Sequence, residues 1–409
     1  MQFKEVIGQH DLKEQLAHML QQNRLSHALL FLGKEGSGAL PMALAFAQFI
    51  VCENNGINIR KKVEPAASSL FGKPAIEPPQ TNNEQPVTDS CGICPACIKA
   101  AKLIHPDIHF SYPTVPQKTG DKPISTDFIT QWRDFICKHL YGNNYDWLQH
   151  IGAENKQGNI TSYECNDIIR KLSLKSFESP YKILIMWMPE LLGKEGNKLL
   201  KLIEEPPPDT LFILVAENEA LILQTILSRT QLIKVPWLTK QDIEDALNER
   251  ETISTTKAQQ IAGGCEGNYH EALQQLQHSD DDWEVLLRSW LNTILKGGPT
   301  TQVKWIEDIA KIGREKQKQF LSYFTQLLQQ SIRLSVSQHA QSENEGMANI
   351  DFALRLNKLC NLSQQEAIAE ELDKAAYYIE RNANAKMLFH ALTIRLYHII
   401  SNNSVILIQ

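Results

Sequence analysis

The sequence predicts an α/β fold, a parallel sheet flanked by helices, followed by a small helical unit and a longer all-α region. Three observations carry this prediction. Short apolar runs of strand length alternate with helical spacings through the first 236 residues. One such run, Ala28 to Leu32, ends in a glycine-rich turn, Gly33-Lys34-Glu35-Gly36-Ser37-Gly38, that opens directly into a helical pattern. After Pro236 the strand signals stop.

The elements follow in order. Asp11 to Gln22 places Leu12, Leu16, Met19 and Leu20 at helical spacing. His27 to Leu32 is a strand and Ala39 to Val51 a helix; Tyr181 to Met188, Thr210 to Ala216 and Gln231 to Val235 supply further strands. Two stretches interrupt the alternation. Residues 53–90 hold five prolines among many Asn, Ser and Gln, which predicts a mobile surface insertion. Residues 112–160 predict a second, polar insertion with a helix around Phe128 to Leu140. Lys240 to Leu276 reads as a small helical unit and 281–409 as a longer one, with Leu321, Phe324, Leu327 and Leu328 as bundle core. The expected domains are therefore 1–236, 237–280 and 281–409, and no internal repeat is visible.

Composition limits the function classes. A chain of 409 residues has room for two or three domains. Its formal charge of −6, with 43% hydrophobic and 22% charged residues, fits a soluble globular protein and argues against one that wraps nucleic acid unaided. No run reaches the length of a membrane span and Met1 to Glu5 lacks an apolar signal core, so a cytoplasmic location is expected. Eight cysteines are too few for a disulfide scaffold, but three of them crowd together at Cys91, Cys94 and Cys97, as metal ligands do.

The turn at 33–38 has the glycine frame of a phosphate-binding loop, in which backbone N–H groups and a helix N-terminus cradle phosphates. Such a loop needs a lysine and then a hydroxyl after its last glycine. Here Gly33, Gly36 and Gly38 fit, but Ala39 and Leu40 occupy those two positions and can bind neither a phosphate charge nor a metal. The strand 182–186 shows a parallel loss. Magnesium nucleotide sites end such a strand in acids; Trp187-Met188 follows here, with Glu190 as a displaced candidate. On the glycines alone, a plain turn and an emptied phosphate loop both stand.

Further motifs bear a resemblance. Val6-Ile7-Gly8-Gln9, Arg24-Leu25-Ser26-His27-Ala28 leading into the turn, Cys91-Gly92-Ile93-Cys94-Pro95-Ala96-Cys97 followed by His105-Pro106-Asp107, Asn197 to Pro207, and Ile226-Leu227-Ser228-Arg229-Thr230 are similar to the delta-prime subunits of the bacterial DNA polymerase III clamp loader, within the AAA+ family. Thr230 replaces the family's Cys, and the two insertions depart from its compact pattern. Glu380 to Asn384 resembles the end of the family's collar domain.

The resemblance implies an AAA+ domain with a zinc module at about 52–97, a helical lid and a helical collar. It implies a subunit without ATPase activity of its own, to which ATP does not bind productively, inside a DNA-directed DNA polymerase holoenzyme. The implied partners are gamma/tau-like ATPases and a delta-like subunit, and, through the complex, the sliding clamp and primer-template DNA. Arg229, with Ser228, would act as an arginine finger in a neighbour's site. His270 falls where active members carry a phosphate-reading arginine.

For one tetrahedral Zn2+, Cys52 is the preferred fourth ligand beside Cys91, Cys94 and Cys97, because it ends the helix after the glycine turn; His105 and His109 compete. Cys137, Cys165, Cys265 and Cys360 read as isolated residues. Glu204-Glu205 before Pro206 reads as a helix end, and Lys311 to Lys318 as a solvated face. The competing function is an active gamma/tau-like ATPase with an atypical loop. A zinc-bearing nucleic-acid-binding module is a third reading, disfavoured by the acidic balance.

Overall fold

The computed structural model describes residues 1–22, 24–55, 87–118, 120–154, 156–251, 253–277, 283–336, 347–380 and 383–402. They divide into two compact units, Met1–Gln274 and Gln275–Gln409.

The first unit is built on a five-stranded parallel sheet of order β2-β3-β4-β1-β5. The strands are β1 (Ala28–Leu32), β2 (Ile108–Ser111), β3 (Lys182–Trp187), β4 (Thr210–Ala216) and β5 (Gln231–Lys234). Every residue of β3 and β4 is buried, as expected of central strands covered on both faces. Alternate residues serve two separate cores. Leu29, Phe31, Ile183, Ile185, Leu211 and Ile213 face one; Ala28, Leu30, Leu184, Met186, Phe212 and Leu214 face the other. Strand β2 was not among the expected strands. Its four residues include His109 and Ser111, too short and too polar a run to stand out, and pairing Ile108 with Ile183 in register with β3 is what makes it a strand.

The helices of this unit are α1 (His10–Gln21), α2 (Ala39–Val51), α3 (Pro95–Ala101), α4 (Ile129–Lys138), α5 (Asn144–His150), α6 (Ser162–Ser173), α7 (Leu200–Glu204) and α8 (Gln224–Leu227), then α9 (Lys240–Arg250), α10 (Thr255–Gly264) and α11 (Tyr269–Gln277), which crosses the boundary. Helix α2 is buried along its whole length, consistent with its unbroken apolar sequence. Helix α9 begins with a capping box in which Thr239 and Asp242 satisfy each other's backbone N–H groups.

Within 112–160 the helix expected around Phe128 to Leu140 forms as α4, and the stretch, though polar in composition, has an aromatic interior. Tyr112, Trp132, Phe135 and Trp147 are all buried there: Tyr112 stacks on Trp132, Trp147 meets Tyr112, Trp132 and Phe135 edge-on, and Trp132 lies tilted against Trp187 with ring centroids 5.4 Å apart. Helix α4 turns Trp132, Phe135 and Ile136 inward at helical spacing, while Thr114, Ser125 and Asn143 are buried polar residues of the same stretch. Of the 53–90 insertion, residues 56–86 lie outside the described residues.

The second unit comprises helices α12 (Trp283–Lys296), α13 (Pro299–Lys311), α14 (Arg314–Val336), α15 (Met347–Leu359), α16 (Leu362–Glu380) and α17 (Ala385–Asn402). Its core holds Trp290 stacked on Trp305, with Phe320, Phe324 and Phe389 around them, and includes Leu321, Leu327 and Leu328. The Trp290 indole N–H donates to the Thr393 hydroxyl at 3.1 Å, so the buried ring keeps a polar partner. Among the described residues, no helix is long and apolar enough to cross a membrane.

Candidate functional site

Strand β1 delivers the chain into the glycine turn, and the turn delivers it into α2. Gly33 N–H donates to the Ala216 carbonyl and Ser37 N–H to that of Lys34, which closes the turn. Gly36 and Gly38 have φ of 73° and 92°, a region that glycine enters without strain. A side chain at Gly36 would also collide with Asn268 Oδ1, 1.9 Å from a Cβ built there. A recess above the turn is lined by Gly36, Gly38, Ala39, Tyr141, Trp187 and Glu217, among others. Ala39 and Leu40, at the start of α2, are buried aliphatic residues and present no charge or hydroxyl to it.

Other chain segments converge on this turn. Gln9 donates its side-chain amide to the Ser37 carbonyl (3.2 Å) and the Pro236 carbonyl (2.6 Å). Tyr141 stands over Gly38, and its hydroxyl accepts from Ile7 N–H at 2.9 Å. His270 is buried between two carboxylates, its Nδ1 2.6 Å from Glu35 Oε1 and its Nε2 2.6 Å from Asp146 Oδ2. Burial acts against the charged ring, but the Asp146 and Glu35 carboxylates outweigh it and push the His270 pKa up to about 10.

The end of β3 carries Trp187 and Met188 inside the core. The displaced acid, Glu190, turns to structural use: its Oε1 accepts the N–H groups of Glu217 (2.6 Å) and Asn218 (2.9 Å) at the end of β4. Burial holds its carboxyl above the usual range.

The sulfur atoms of Cys52, Cys91, Cys94 and Cys97 all lie within 4.8 Å of one another, and those of Cys91 and Cys97 are 3.9 Å apart. Ligands about 2.3 Å from a tetrahedral ion stand roughly 3.8 Å from each other, so the set has the size of a metal site. It is too open for a disulfide, whose sulfurs bond at about 2.05 Å. Cys52 follows α2, while Cys94 caps α3 and accepts from Cys97 N–H at 3.4 Å. Cys52 accepts from Asn54 and Cys91 N–H, and Cys91 from Cys94 N–H, each at 3.4 Å. Backbone donors aimed at sulfur favour thiolates, the form that binds a cation. His105 and His109 lie outside the set; His105 Nδ1 instead accepts from Asp107 N–H at 3.1 Å. These four cysteines could hold a metal ion.

Arg229 follows α8 and precedes β5, with 35% of its side chain exposed. It pairs with Glu204 at the end of α7, and its guanidinium donates to the Thr225 carbonyl (2.8 Å) and Ser228 hydroxyl (3.1 Å). The structure thus joins Glu204 and Arg229, which the sequence presented as separate motifs. It also brings Glu35, Asp146 and His270 together. Of these, the sequence singled out only His270, since nothing in local spacing relates positions so far apart.

A parallel α/β sheet with a glycine turn after its first strand defines the architectural class. The sequence profile described as "DNA polymerase III, delta subunit" matches residues 8–68 and 78–239, more than half of the chain, and the chain belongs to that family. It is 25% identical over 266 residues to DNA polymerase III subunit delta' of Bacillus subtilis (strain 168), an alignment covering 65% of this chain and 58% of the relative. It is also 25% identical over 283 residues to subunit tau of the same organism, covering 68% of this chain and 37% of the relative. The match to subunit delta' of Haemophilus influenzae is 24% over 218 residues, 53% and 45% of the two chains. A solved DNA polymerase III gamma subunit-related protein of Thermotoga maritima aligns with 94% of this chain and 99% of its own at a TM-score of 0.36 and 14% identity.

Proposed function

We propose that this chain is a delta'-like, non-hydrolysing subunit of a DNA polymerase III clamp loader, working in the cytoplasm and helping to place the sliding clamp on primed DNA. It assembles with gamma/tau-like ATPases and a delta-like subunit and reaches clamp and primer-template through them. Its lid is 237–280 and its collar 281–409, both following an AAA+ domain of 1–236. Family membership supports the assembly. The observation that carries the non-hydrolysing part is the turn itself: Ala39 and Leu40 are buried where a lysine and a hydroxyl are needed, and Glu35 adds a negative charge beside them. Arg229 is then the group that acts, reaching a neighbouring subunit's nucleotide with Ser228 beside it.

Zn2+ is the ion for the four cysteines. It suits an all-thiolate tetrahedral set with no open position, and its role is structural. Cys52, Cys91, Cys94 and Cys97 would hold it and fix the start of α3 to the end of α2.

The active-ATPase reading keeps one specific support, the tau relative at the same 25% identity as delta'. Two measurements separate the readings. In a reconstituted ring, Arg229→Ala should lower ATP turnover by about 10²-fold or more while the ring still elutes intact; unchanged turnover removes the finger role. Calorimetric titration of the isolated chain with Mg-ATP should show no binding, and micromolar binding with turnover would establish the alternative.

A further inference from the structure

The glycine turn is gripped by residues from two segments far away in sequence. From 268–270, Asn268 fills the space over Gly36, Tyr269 N–H donates to the Gly36 carbonyl at 3.3 Å, and His270 meets Glu35. From 141–146, Tyr141 covers Gly38, Asn143 donates its side-chain amide to Glu35 Oε1 at 3.2 Å, and Asp146 meets the far side of the His270 ring. The rings of Tyr141 and Tyr269 meet edge to face with centroids 5.0 Å apart, so the two gripping segments also hold each other.

A phosphate loop ordinarily receives its negative charge from the ligand and answers it with a lysine. Here the turn carries a negative charge of its own on Glu35. The answering positive charge comes from a buried imidazole on α11, and a second carboxylate, on α5, completes the set. His139, just beyond α4, also bears on this ring electrostatically.

We propose that Glu35, His270 and Asp146 form a built-in clasp that fastens the α9–α11 segment to the glycine turn, so that the chain's own charges set the position of this segment. Asp146, and Asn143 beside Glu35, both come from the 112–160 stretch. The clasp does not rest on the clamp-loader reading, since all its members belong to one chain.

Hydrogen exchange of the full-length protein tests it. In the unaltered chain, backbone amides of 240–277 should be protected, and millimolar Mg-ATP should leave that protection unchanged. Glu35→Gln and His270→Gln should each raise exchange in 240–277 by about tenfold, while amides of β1 and β4 keep theirs. The double variant should exchange no faster than the faster single one, because the first substitution already breaks the shared interaction. Glu35 is partly exposed, so Glu35→Gln carries the test alone if His270→Gln does not fold. Unchanged exchange in Glu35→Gln, fully additive effects in the double variant, or a tenfold gain of protection on adding Mg-ATP to the unaltered chain would each overturn the clasp.

Discussion

His270 shows how much one side chain's meaning depends on its surroundings. In the sequence it is a histidine at a position where the resemblance implies an arginine in active members; in the fold it is a buried ring between Asp146 and Glu35, whose carboxylates favour its charged form. Its pKa is raised to about 10, so the linkage has a definite sign. The stabilisation is fully present below the free histidine value of about 6.5 and is lost progressively as pH rises through about 10. Thermal melts from about pH 7 to pH 10 should therefore show the unaltered chain losing stability faster than His270→Gln. Parallel curves for the two proteins would show that the ring carries no charge in the fold. Ala39 and Leu40 were legible without a structure, because a phosphate loop prescribes what must stand at those two places. Glu35 and Asp146 were not legible, since no pattern prescribes a contact between residues more than a hundred positions apart.

Among the elements, the cysteine-bearing turn and α3 depend on ties to the rest of the fold. Asp89 accepts the N–H groups of Phe3 (2.9 Å) and Lys4 (3.1 Å), and Ser90 bonds the side chains of Gln2 and Gln48. Phe3 in turn packs against Phe46 and Phe49 of α2. A metal at Cys52, Cys91, Cys94 and Cys97 would thus hold the first residues of the chain as well as its own loop. Chelation should lower the melting temperature by about 5–10 °C, and added Zn2+ should restore it. It should also open a protease site near residues 1–6. A metal-free protein with the same melting temperature and the same digestion pattern would show that packing alone suffices. Three of the four cysteines announce themselves by spacing, while Cys52 had to be placed by counting along α2. Strand β2 escaped notice for a related reason: its identity comes from its neighbour β3, not from its own four residues.

For the whole molecule, the two units have separate cores, the first divided by the sheet and the second centred on the Trp290–Trp305 pair. The alternation of short apolar strands and helices was enough to predict the parallel sheet. Composition hid the aromatic interior of 112–160, because a few large rings form it while the many polar residues set the average. Strand β5 closes one margin of the sheet. It pairs with β1 on one side and, among the described residues, with no strand on the other. Gln231, Leu232 and Lys234 are exposed along it. Four residues ending in a lysine make a poor template for another strand, since a docking chain would gain few bonds and trap a charge. Concentrated solutions should accordingly stay clear of fibrils, whereas Lys234→Val should make the protein sediment and bind thioflavin as its concentration rises. The margin that ends the sheet is in this sense also its guard against self-templated growth.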